Sequence, residues 1–481
     1  MIDKLLNKYK GMSLPLKLTM WIFICTCIQR GINIITVPIF TRLMSQEEYG
    51  QFSVFMSWQS IIEILVSLRL YAGVYNKGLN KYSDKMNEYA LTMQYITTIL
   101  TFILCSIYMI FRKQVESFTG LSTTITIGMF AELLLSTPIS YWSIKERYKY
   151  QYKGFVIATI IFAIVNPIIG IIAVLSSDNK GEARIYALIW VQIIYGLIFY
   201  LINCINGKWK FNIEHAKFAL IFNIPLLPHY LSEYILNSSD RIMIEKMQGY
   251  SYAGLYSVAY GMGMILTMLT TSINQALVPW MYQSFKHKKF EYVRKVTTAI
   301  GMILIIPLSI FIILAPEMIN IFAGKSYAPS IYVIPPVCCS IFILFWYTIC
   351  ANIEFFYEKN KFTMYISIVG ALCNIGLNYI LIPKFGFVAA GYTTLISYMI
   401  YGIGHLLFSQ IIFYKSEGRY LFSNRIYISQ LFLIFSVSIV ASFLYEFVLV
   451  RYILCLIIVI VIIYYRNIIL SLIQMIRDNY K

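Results

Sequence analysis

Charged residues are scarce in this chain. Asp, Glu, Lys and Arg make up 13% of its 481 residues, whereas an ordinary soluble domain has about 25%. Hydrophobic residues make up 59%, which leaves too few polar side chains to cover a soluble surface. The composition therefore excludes a soluble enzyme and predicts a protein that lies in a membrane.

Motifs that would indicate an enzyme are also missing. The sequence has no phosphate loop of the GxxxxGK[ST] type, so we expect no ATP hydrolysis within the chain. No nucleophile with its base and acid, and no catalytic carboxylate pair, stands apart from the charges in apolar segments. The nine cysteines fall in or beside apolar segments without the spacing of metal sites. We expect no catalytic function, disulfide, metal centre or other cofactor.

Hydrophobic segments long enough to span a bilayer recur from one end of the chain to the other. A spanning helix needs about 17 to 25 residues. Fourteen segments fit this description: 16–40, 52–72, 89–111, 122–143, 155–176, 185–205, 217–237, 254–280, 294–321, 331–357, 362–382, 388–413, 427–449 and 452–473. They predict an all-α polytopic membrane protein, in which the last two segments either are separate spans or form one hairpin added to a twelve-helix body.

The basic residues are distributed unevenly between the two sides of these spans. If the N-terminus is cytoplasmic, 27 of the 39 Lys and Arg residues lie in cytoplasmic connections and 10 in outer ones. The positive-inside rule therefore predicts that both termini are cytoplasmic. The formal net charge of +17 then follows from topology and from attraction to anionic headgroups, so we expect membrane lipids as partners and no nucleic acid.

A short repeat indicates two related halves. Residues 49–54 read YGQFSV and residues 253–258 read AGLYSV, each after a helix with polar residues and an arginine near its outer end. Repeats of about six spans, with a ligand site at their interface, are common among secondary transporters. We predict an N-terminal lobe at 1–210, a C-terminal lobe at 211–414 and a C-terminal helix pair at 415–481, with the first and seventh helices facing one cavity.

The seventh segment carries a stripe of polar side chains. At about 100° per residue, His229, Glu233, Asn237 and Asp240 fall within roughly 80° of one another, with Arg241 at the edge. A charge near the bilayer centre costs roughly 2.5 to 3.5 kcal/mol, so we expect the stripe to face a water-filled cavity or a partner. The acids and the histidine are candidates for ion coupling. His229 and Glu233 alone are too few ligands to predict a metal site.

The first two segments and the eighth hold further polar groups. Arg30 and Asn33 share a second polar stripe, and Arg30 either pairs with Glu63 of the next segment or binds an anion. Glu63 is also a candidate proton carrier. Arg69 lies near a predicted helix end, where extension to the lipid headgroups is favoured over a ligand contact. Asn274 continues the polar lining, although helix packing explains such a residue equally well.

Three other ionisable residues lie in apolar segments. Glu132 is deep in the fourth segment, where a structural pairing and a functional role are equally supported. Glu354 and His405 lie in the cytoplasmic halves of their segments, so we expect both at the membrane interface. The longest outer connection is expected at about 238–253, which is too short for a folded domain.

Three stretches resemble a known family. They are VPIFTRL at 37–43 followed by EYG at 48–50, SDR at 239–241 followed by GLYS at 254–257, and NYILIPKFG at 378–386. Together, in this order, they resemble the bacterial polysaccharide (Wzx-type) oligosaccharide flippases. These belong to an exporter superfamily that also contains the MATE multidrug transporters and the peptidoglycan lipid II flippase. The resemblance covers residues 10 to about 410 and is looser over the last two spans.

The resemblance implies a two-lobed flippase. Such a protein moves an undecaprenyl-diphosphate-linked oligosaccharide from the inner to the outer leaflet of the cytoplasmic membrane by alternating access, for surface polysaccharides such as O-antigen or capsule. Candidate coupling ions are H⁺ and Na⁺, and candidate partners include other polysaccharide-assembly proteins. The planar guanidinium of arginine suits a diphosphate because it can bind two oxygens at once. The predicted substrate-binding residues are arginines for the diphosphate and amides for the sugars: Arg30, Arg241, the weaker Arg69, Asn33, Asn237 and Asn274.

A cation or drug antiporter of the MATE kind is the alternative. Such a protein binds cations with carboxylates, and Glu63, Glu132, Glu233 and Asp240 are available for that role. The flippase is favoured by the arginines of the two polar stripes and by the three stretches that resemble the flippase family.

Overall fold

The computed structural model describes residues 11–359 and 361–464, and within them it contains α-helices, short 3₁₀ segments and no β-strand. The chain divides into two compact units, Met1–Tyr234 and Ile235–Lys481. We call them unit 1 and unit 2. Helix α10 begins in unit 1 and continues into unit 2.

Unit 1 contains nine described helices and the start of a tenth. In chain order they are α1 (Leu14–Leu43), α2 (Gln46–Ser67), α3 (Val74–Lys81), α4 (Met86–Ile110), α5 (Arg112–Thr119), α6 (Thr123–Tyr148), α7 (Tyr152–Leu175), α8 (Lys180–Asn206), α9 (Ile213–Asn223) and α10 (Leu227–Gln248).

Unit 2 contains the rest of α10 and nine more described helices. They are α11 (Tyr250–Met264), α12 (Thr267–Lys286), α13 (Phe290–Ile313), α14 (Ala315–Phe322), α15 (Ile334–Phe356), α16 (Lys361–Phe385), α17 (Val388–Glu417), α18 (Asn424–Phe443) and α19 (Val448–Tyr464).

The described helices confirm a polytopic membrane protein. Ten stretches are long and apolar enough to cross a membrane, and α5 with α6, bent by 93° at their junction, gives an eleventh candidate. Helices lie in all fourteen predicted segments, but the predicted count of fourteen spans is not confirmed. The described apolar part of α19, for example, is shorter than a span, and residues 465–473 of its predicted segment lie outside the described residues.

Helix α2 is fixed by specific groups at both ends. A capping box starts it: the Ser45 amide donates to Glu48 at 2.7 Å and the Glu48 amide donates to Ser45 Oγ at 3.2 Å. After Ser67 the backbone turns, with Leu68 and Arg69 at φ of 46° and 48°. The predicted span over 52–72 is therefore wrong at its end, and Arg69 lies on a turn.

The predicted seventh segment is also interrupted. Helix α9 ends, the 3₁₀ turn Ile224–Leu226 follows, and α10 then starts anew, because Pro225 and Pro228 lack the amide protons that a continuous helix needs. The outer loop expected at 238–253 is wrong. That stretch is helical on both sides of Gly249, whose φ of 98° suits glycine.

The core of unit 2 surrounds α15. In the most apolar stretch of its span, 83% of the residues are buried inside the protein, compared with 11% in α7 of unit 1. Most residues of α7 are therefore available for contact with lipid. Helix α15 contributes Glu354 to this core and α17 contributes His405, and both side chains are 0% exposed. Neither side chain therefore extends from the protein towards lipid headgroups.

The last described helix is attached to unit 2 by a buried arginine. Arg451 is 2% exposed, donates to Glu317 Oε2 at 2.5 Å and to the Ile313 carbonyl at 3.2 Å. Tyr445, just before α19, donates to the Ile312 carbonyl at 3.1 Å. Helix α19 is thereby joined to α13 and α14.

Candidate functional site

A polar cavity of about 400 Å³ lies within unit 1. Helices α2, α6 and α8 provide much of its wall, with hydroxyls from serines, threonines and tyrosines. The remaining polar lining consists of the amides of Gln29, Gln59 and Gln192 and the carboxylates of Glu63 and Glu132. Lys and Arg are absent from the described residues that line it. The unit 1 cavity is therefore acidic and rich in hydrogen-bonding groups.

The acidic wall is built by α2 and α6. Gln59 and Glu63 are four residues apart on α2, so they share one helix face. Gln59 Nε2 donates to Glu132 Oε2 at 2.7 Å, and Glu132 is 1% exposed. An ionisable group at such depth in a membrane protein is costly and usually functional. Glu132, one of the carboxylates considered for a cation antiporter, is thus part of the lining of a ligand-sized cavity.

Arg69 is enclosed by aromatic rings and an acid. Its guanidinium carbon lies 4.7 Å from the ring centroid of Tyr234, 5.4 Å from Tyr230 and 5.9 Å from Tyr71. Its Nη1 is 3.7 Å from Glu233 Oε2, and the Arg69 side chain is only 19% exposed. The side chain is therefore packed against protein groups and does not extend to lipid headgroups, contrary to the favoured interpretation of the sequence.

The groups around Arg69, which we call the Arg69 cage (Tyr71, Tyr230, Tyr234 and Glu233), adjoin the cavity. Glu63 interacts electrostatically with Arg69, and Tyr71 and Tyr234 belong both to the cage and to the cavity lining. Unit 1 thus brings together three predicted site residues: Glu63, Arg69 and Glu233. In the turn that holds Arg69, Asn223 donates a hydrogen bond to the Leu68 carbonyl.

The polar residues of α1 lie outside this cavity lining, apart from Gln29. Arg30 is half-buried and Asn33 is exposed. Within the described part of the chain Arg30 takes part in no ion pair, so the proposed pairing with Glu63 is not formed. His229, on the first turn of α10, is half-buried and is likewise not part of the lining.

Unit 2 contains a buried polar cluster centred on Asp240. The carboxylate is 0% exposed and accepts hydrogen bonds from Tyr256 Oη at 2.5 Å, Asn378 Nδ2 at 2.6 Å and Thr394 Oγ1 at 2.7 Å. These donors come from α11, α16 and α17. Three neutral donors thus stabilise one carboxylate inside the helical core.

Two asparagines extend the cluster. Asn374 Oδ1 accepts from Ser239 Oγ at 3.2 Å and from Asn378 Nδ2 at 3.2 Å, and Asn374 Nδ2 donates to Thr394 Oγ1 at 3.2 Å. Thr393 donates to Asn378 Oδ1. The carboxylate, amide and hydroxyl oxygens gathered here are ligands that a small hard cation prefers. The Asp240 cluster therefore combines one buried carboxylate with several polar groups in the core of unit 2.

Arg241 follows Asp240 but contacts a different group. Its Nη1 donates to the Asn237 carbonyl at 2.7 Å, and its guanidinium lies 4.8 Å from the Tyr260 ring centroid. Asn237 Oδ1 accepts from Tyr260 at 3.2 Å and from Tyr398 at 3.1 Å. Unit 2 thus brings together the predicted residues Asn237, Asp240 and Arg241.

Asn274 has a separate partner, and some site residues were missed. Asn352 Nδ2 donates to Asn274 Oδ1 at 2.8 Å, between α12 and α15. The missed partners of Asp240 are Tyr256, Asn378 and Thr394. The spacing of Asn374 and Asn378, four residues apart in an apolar helix, was the signal that could have found the asparagines.

Solved membrane transporters share this fold. A structure described as the lipid II flippase MurJ, inward closed conformation, is 15% identical, covers 93% of this chain and 99% of its own, and has a TM-score of 0.69. An inward-facing multidrug resistance MATE family transporter of the MOP superfamily is 13% identical, covers 82% of this chain and 98% of its own, and has a TM-score of 0.60. The chain is therefore a multi-pass membrane protein with the fold of that superfamily.

The sequence match defines the family. Residues 39–332 match the model of the family described as polysaccharide biosynthesis protein, and the chain belongs to this family. Capsular polysaccharide biosynthesis protein CapF of Staphylococcus aureus is 23% identical over 407 residues, covering 82% of this chain and 98% of the relative. Lsg locus putative protein 1 of Haemophilus influenzae is 23% identical over 347 residues, covering 70% and 83%.

Proposed function

We propose that this protein is a flippase that moves an undecaprenyl-diphosphate-linked oligosaccharide from the inner to the outer leaflet of the bacterial cytoplasmic membrane by alternating access. The observation that carries the proposal is the match to a polysaccharide biosynthesis family in a chain built of membrane helices. The likeness in fold to a protein described as a lipid II flippase supports the same function. The protein acts as a transporter and not as an enzyme, with both termini in the cytoplasm.

Arg30 and Arg241 are the proposed ligands of the diphosphate. In the described part of the chain no carboxylate forms an ion pair with Arg30, and a half-buried cation in a membrane helix needs an anion from elsewhere. Arg241 is oriented by Tyr260 and by the Asn237 carbonyl. The remaining N–H groups of each guanidinium can bind phosphate oxygens.

Sugar recognition and the role of Arg69 belong to the same proposal. Asn33, Asn237 and Asn274 are proposed to bind sugar hydroxyls, which amide groups match as both donors and acceptors. Arg69 is proposed as a third phosphate ligand. Because it already contacts Glu233 at 3.7 Å, this role requires the anion to compete with that acid.

Ion coupling is proposed to use the acids of α2 and α10. Asp240 is the strongest candidate because its carboxylate is completely buried and accepts from the amide N–H of Asn378 and the hydroxyl of Thr394, and a carboxylate so placed can bind a proton or a cation such as Na⁺. Glu63, His229 and Glu233 are the other candidates. Membrane lipids and other polysaccharide-assembly proteins are the proposed partners.

A MATE-like cation or drug antiporter is a second candidate function. The specific observation that favours it is the unit 1 cavity, which is lined by Glu63 and Glu132 and has no basic side chain among its described lining residues. A cationic drug would fit such a cavity electrostatically. The family match favours the flippase, so the two functions require a direct comparison.

Deletion of the gene tests both functions. A flippase mutant should lose surface polysaccharide and accumulate the lipid-linked oligosaccharide in the inner leaflet, and the wild-type gene should restore export. An antiporter mutant should keep its polysaccharide and become sensitive to cationic drugs. Normal polysaccharide in the mutant, with no accumulated precursor, would contradict the flippase function.

A further inference from the structure

Unit 2 contains a second buried ionisable pair, which shares no residue with the Asp240 cluster. His405 Nδ1 lies 2.7 Å from Glu354 Oε1, and both side chains are 0% exposed. Glu354 Oε2 accepts a hydrogen bond from Thr363 Oγ1 at 3.2 Å. Three helices, α15, α16 and α17, thus enclose one carboxylate and one imidazole.

Inside the protein this buried pair is stable only with a net charge of zero. Among the described residues, Glu354 has His405 as its one basic partner. A lone buried charge costs several kcal/mol, so Glu354 and His405 must be neutral together. Either the carboxylate faces an imidazolium or a carboxylic acid faces a neutral imidazole. In both arrangements the pair holds one proton that a solvated carboxylate and neutral histidine would lack.

Aromatic rings favour the imidazolium form. The His405 ring lies 4.6 Å from the centroid of Tyr347, 4.8 Å from Tyr401 and 5.9 Å from Phe362, in edge arrangements. Its Nε2 is buried and has no hydrogen-bond acceptor in the described residues. A ring face attracts a cation more strongly than a neutral imidazole, so these aromatic neighbours stabilise a positive charge on His405.

Few other ionisable groups face the pair. On α15, Cys350 interacts electrostatically with Glu354. Tyr427 of α18 interacts in turn with Cys350. Tyr347 of α15 and Tyr401 of α17 face His405, and Glu417, at the end of α17, accepts from Tyr357 at 3.0 Å. The one described basic group within ion-pair distance of Glu354 is His405, at 2.7 Å, and a proton on its ring can balance the carboxylate.

We propose that Glu354 and His405 form a proton-binding site in unit 2, with the proton held on His405. Histidine exchanges protons near neutral pH, which suits it to this role. While Tyr347, Phe362 and Tyr401 enclose His405, loss of the proton would leave Glu354 as an unbalanced charge. Release of the proton therefore requires that water reach the pair. This role rests on the flippase function proposed above. In each transport cycle, the packing of α15, α16 and α17 around the pair opens, and the pair binds and releases one proton.

The direct test observes the protonation state of His405. The purified full chain, labelled with ¹⁵N-histidine in lipid nanodiscs, contains four histidines, and H405Q assigns the signal of interest. We expect an imidazolium signal for His405 at neutral pH. In E354Q the imidazolium fraction should fall by about tenfold or more, because the balancing charge is lost.

A matched variant controls for packing. Trp346→Phe removes another buried hydrogen bond of α15, from Trp346 Nε1 to Gln430 Oε1 at 3.0 Å, but removes no ionisable group. The His405 signal should be unchanged in that variant. If E354Q does not fold, Thr363→Val keeps Glu354 and removes one of its donors, and a smaller change in the same signal is expected. A neutral His405 in the wild type, or an imidazolium that persists in E354Q, would overturn the proposed site.

Polysaccharide export tests the role of the site in the cycle. E354Q and H405Q should stop export with normal amounts of protein in the membrane, whereas Trp346→Phe should export normally. Normal export in E354Q would overturn the role in the cycle. Failure of the flippase function is distinguishable, because a wild-type chain that exports no polysaccharide would still show the imidazolium signal.

Discussion

The carboxylate of Asp240 lies 2.6 Å from the side-chain amide nitrogen of Asn378 and thereby joins α10 to α16 in the core of unit 2. The two residues are 138 positions apart in the sequence. Tyr256 and Thr394 add donors from two more helices. Because the group is completely buried, each of these hydrogen bonds must form or leave a donor unsatisfied.

Asp240→Asn tests this cluster. The substitution turns one acceptor oxygen into a donor that faces other donors, and each donor left unpaired costs about 1–3 kcal/mol. We expect a lower unfolding temperature in lipid nanodiscs and a loss of polysaccharide export. Ser257→Ala on α11 is the control, because the side chain of Ser257 donates to the Ala253 carbonyl of its own helix. Wild-type stability and export in D240N would show that the cluster is dispensable.

Arg30→Ala and Arg241→Ala test the diphosphate ligands. Each removes a guanidinium that we propose binds phosphate oxygens, so each should abolish export while the protein stays in the membrane. Arg42→Ala is the control, since Arg42 is exposed and donates to the Pro38 carbonyl of its own helix. The measurements are surface polysaccharide per cell and membrane protein level. Normal surface polysaccharide in both alanine variants would contradict the proposal that Arg30 and Arg241 bind the diphosphate.

Arg69→Lys distinguishes an anchored side chain from one in the headgroups. A headgroup position would tolerate lysine, which carries the same charge. In the structure the planar guanidinium lies against three tyrosines, and contacts of this kind are worth about 0.5–2 kcal/mol. We therefore expect a lower unfolding temperature for R69K. An unchanged unfolding temperature would favour the headgroup interpretation.

Arg451→Ala tests the attachment of α19. Breaking a buried ion pair costs about 3–5 kcal/mol, and the partial exposure of Glu317, 24%, reduces that cost here. We expect faster proteolysis near α19 and a lower unfolding temperature. Glu317→Ala should have an effect at least as large, because it leaves the guanidinium of Arg451, 2% exposed, without its carboxylate. Equal protease resistance in wild type and R451A would argue against the anchor.

The fold class was predictable because it depends on local composition. Hydrophobic runs mark membrane helices wherever they occur, and helices were found in all fourteen predicted segments. The end of α2 was not predictable, because apolar residues continue past Ser67. The turn there is stabilised by Asn223, which is 155 residues from Leu68, whose carbonyl it binds.

The candidate sites were predictable in part. The polar stripe of α10 was visible from helical periodicity, but its partners were not: Glu233 contacts Arg69, whereas Asp240 contacts Asn378. Periodicity gives the face of a helix and not the identity of the group opposite it. Burial of His405 with Glu354 was missed for the same reason, since two ionisable residues can enter a core when they balance each other.

The most direct test of the proposed function is the appearance of the lipid-linked oligosaccharide in the outer leaflet. Intact spheroplasts that lack the polysaccharide polymerase can be labelled with a glycan reagent that does not cross the membrane. We predict outer-leaflet labelling with the wild-type chain and only background labelling with the R30A and R241A variants or without the gene. Equal labelling in the presence and absence of the chain would contradict the flippase function.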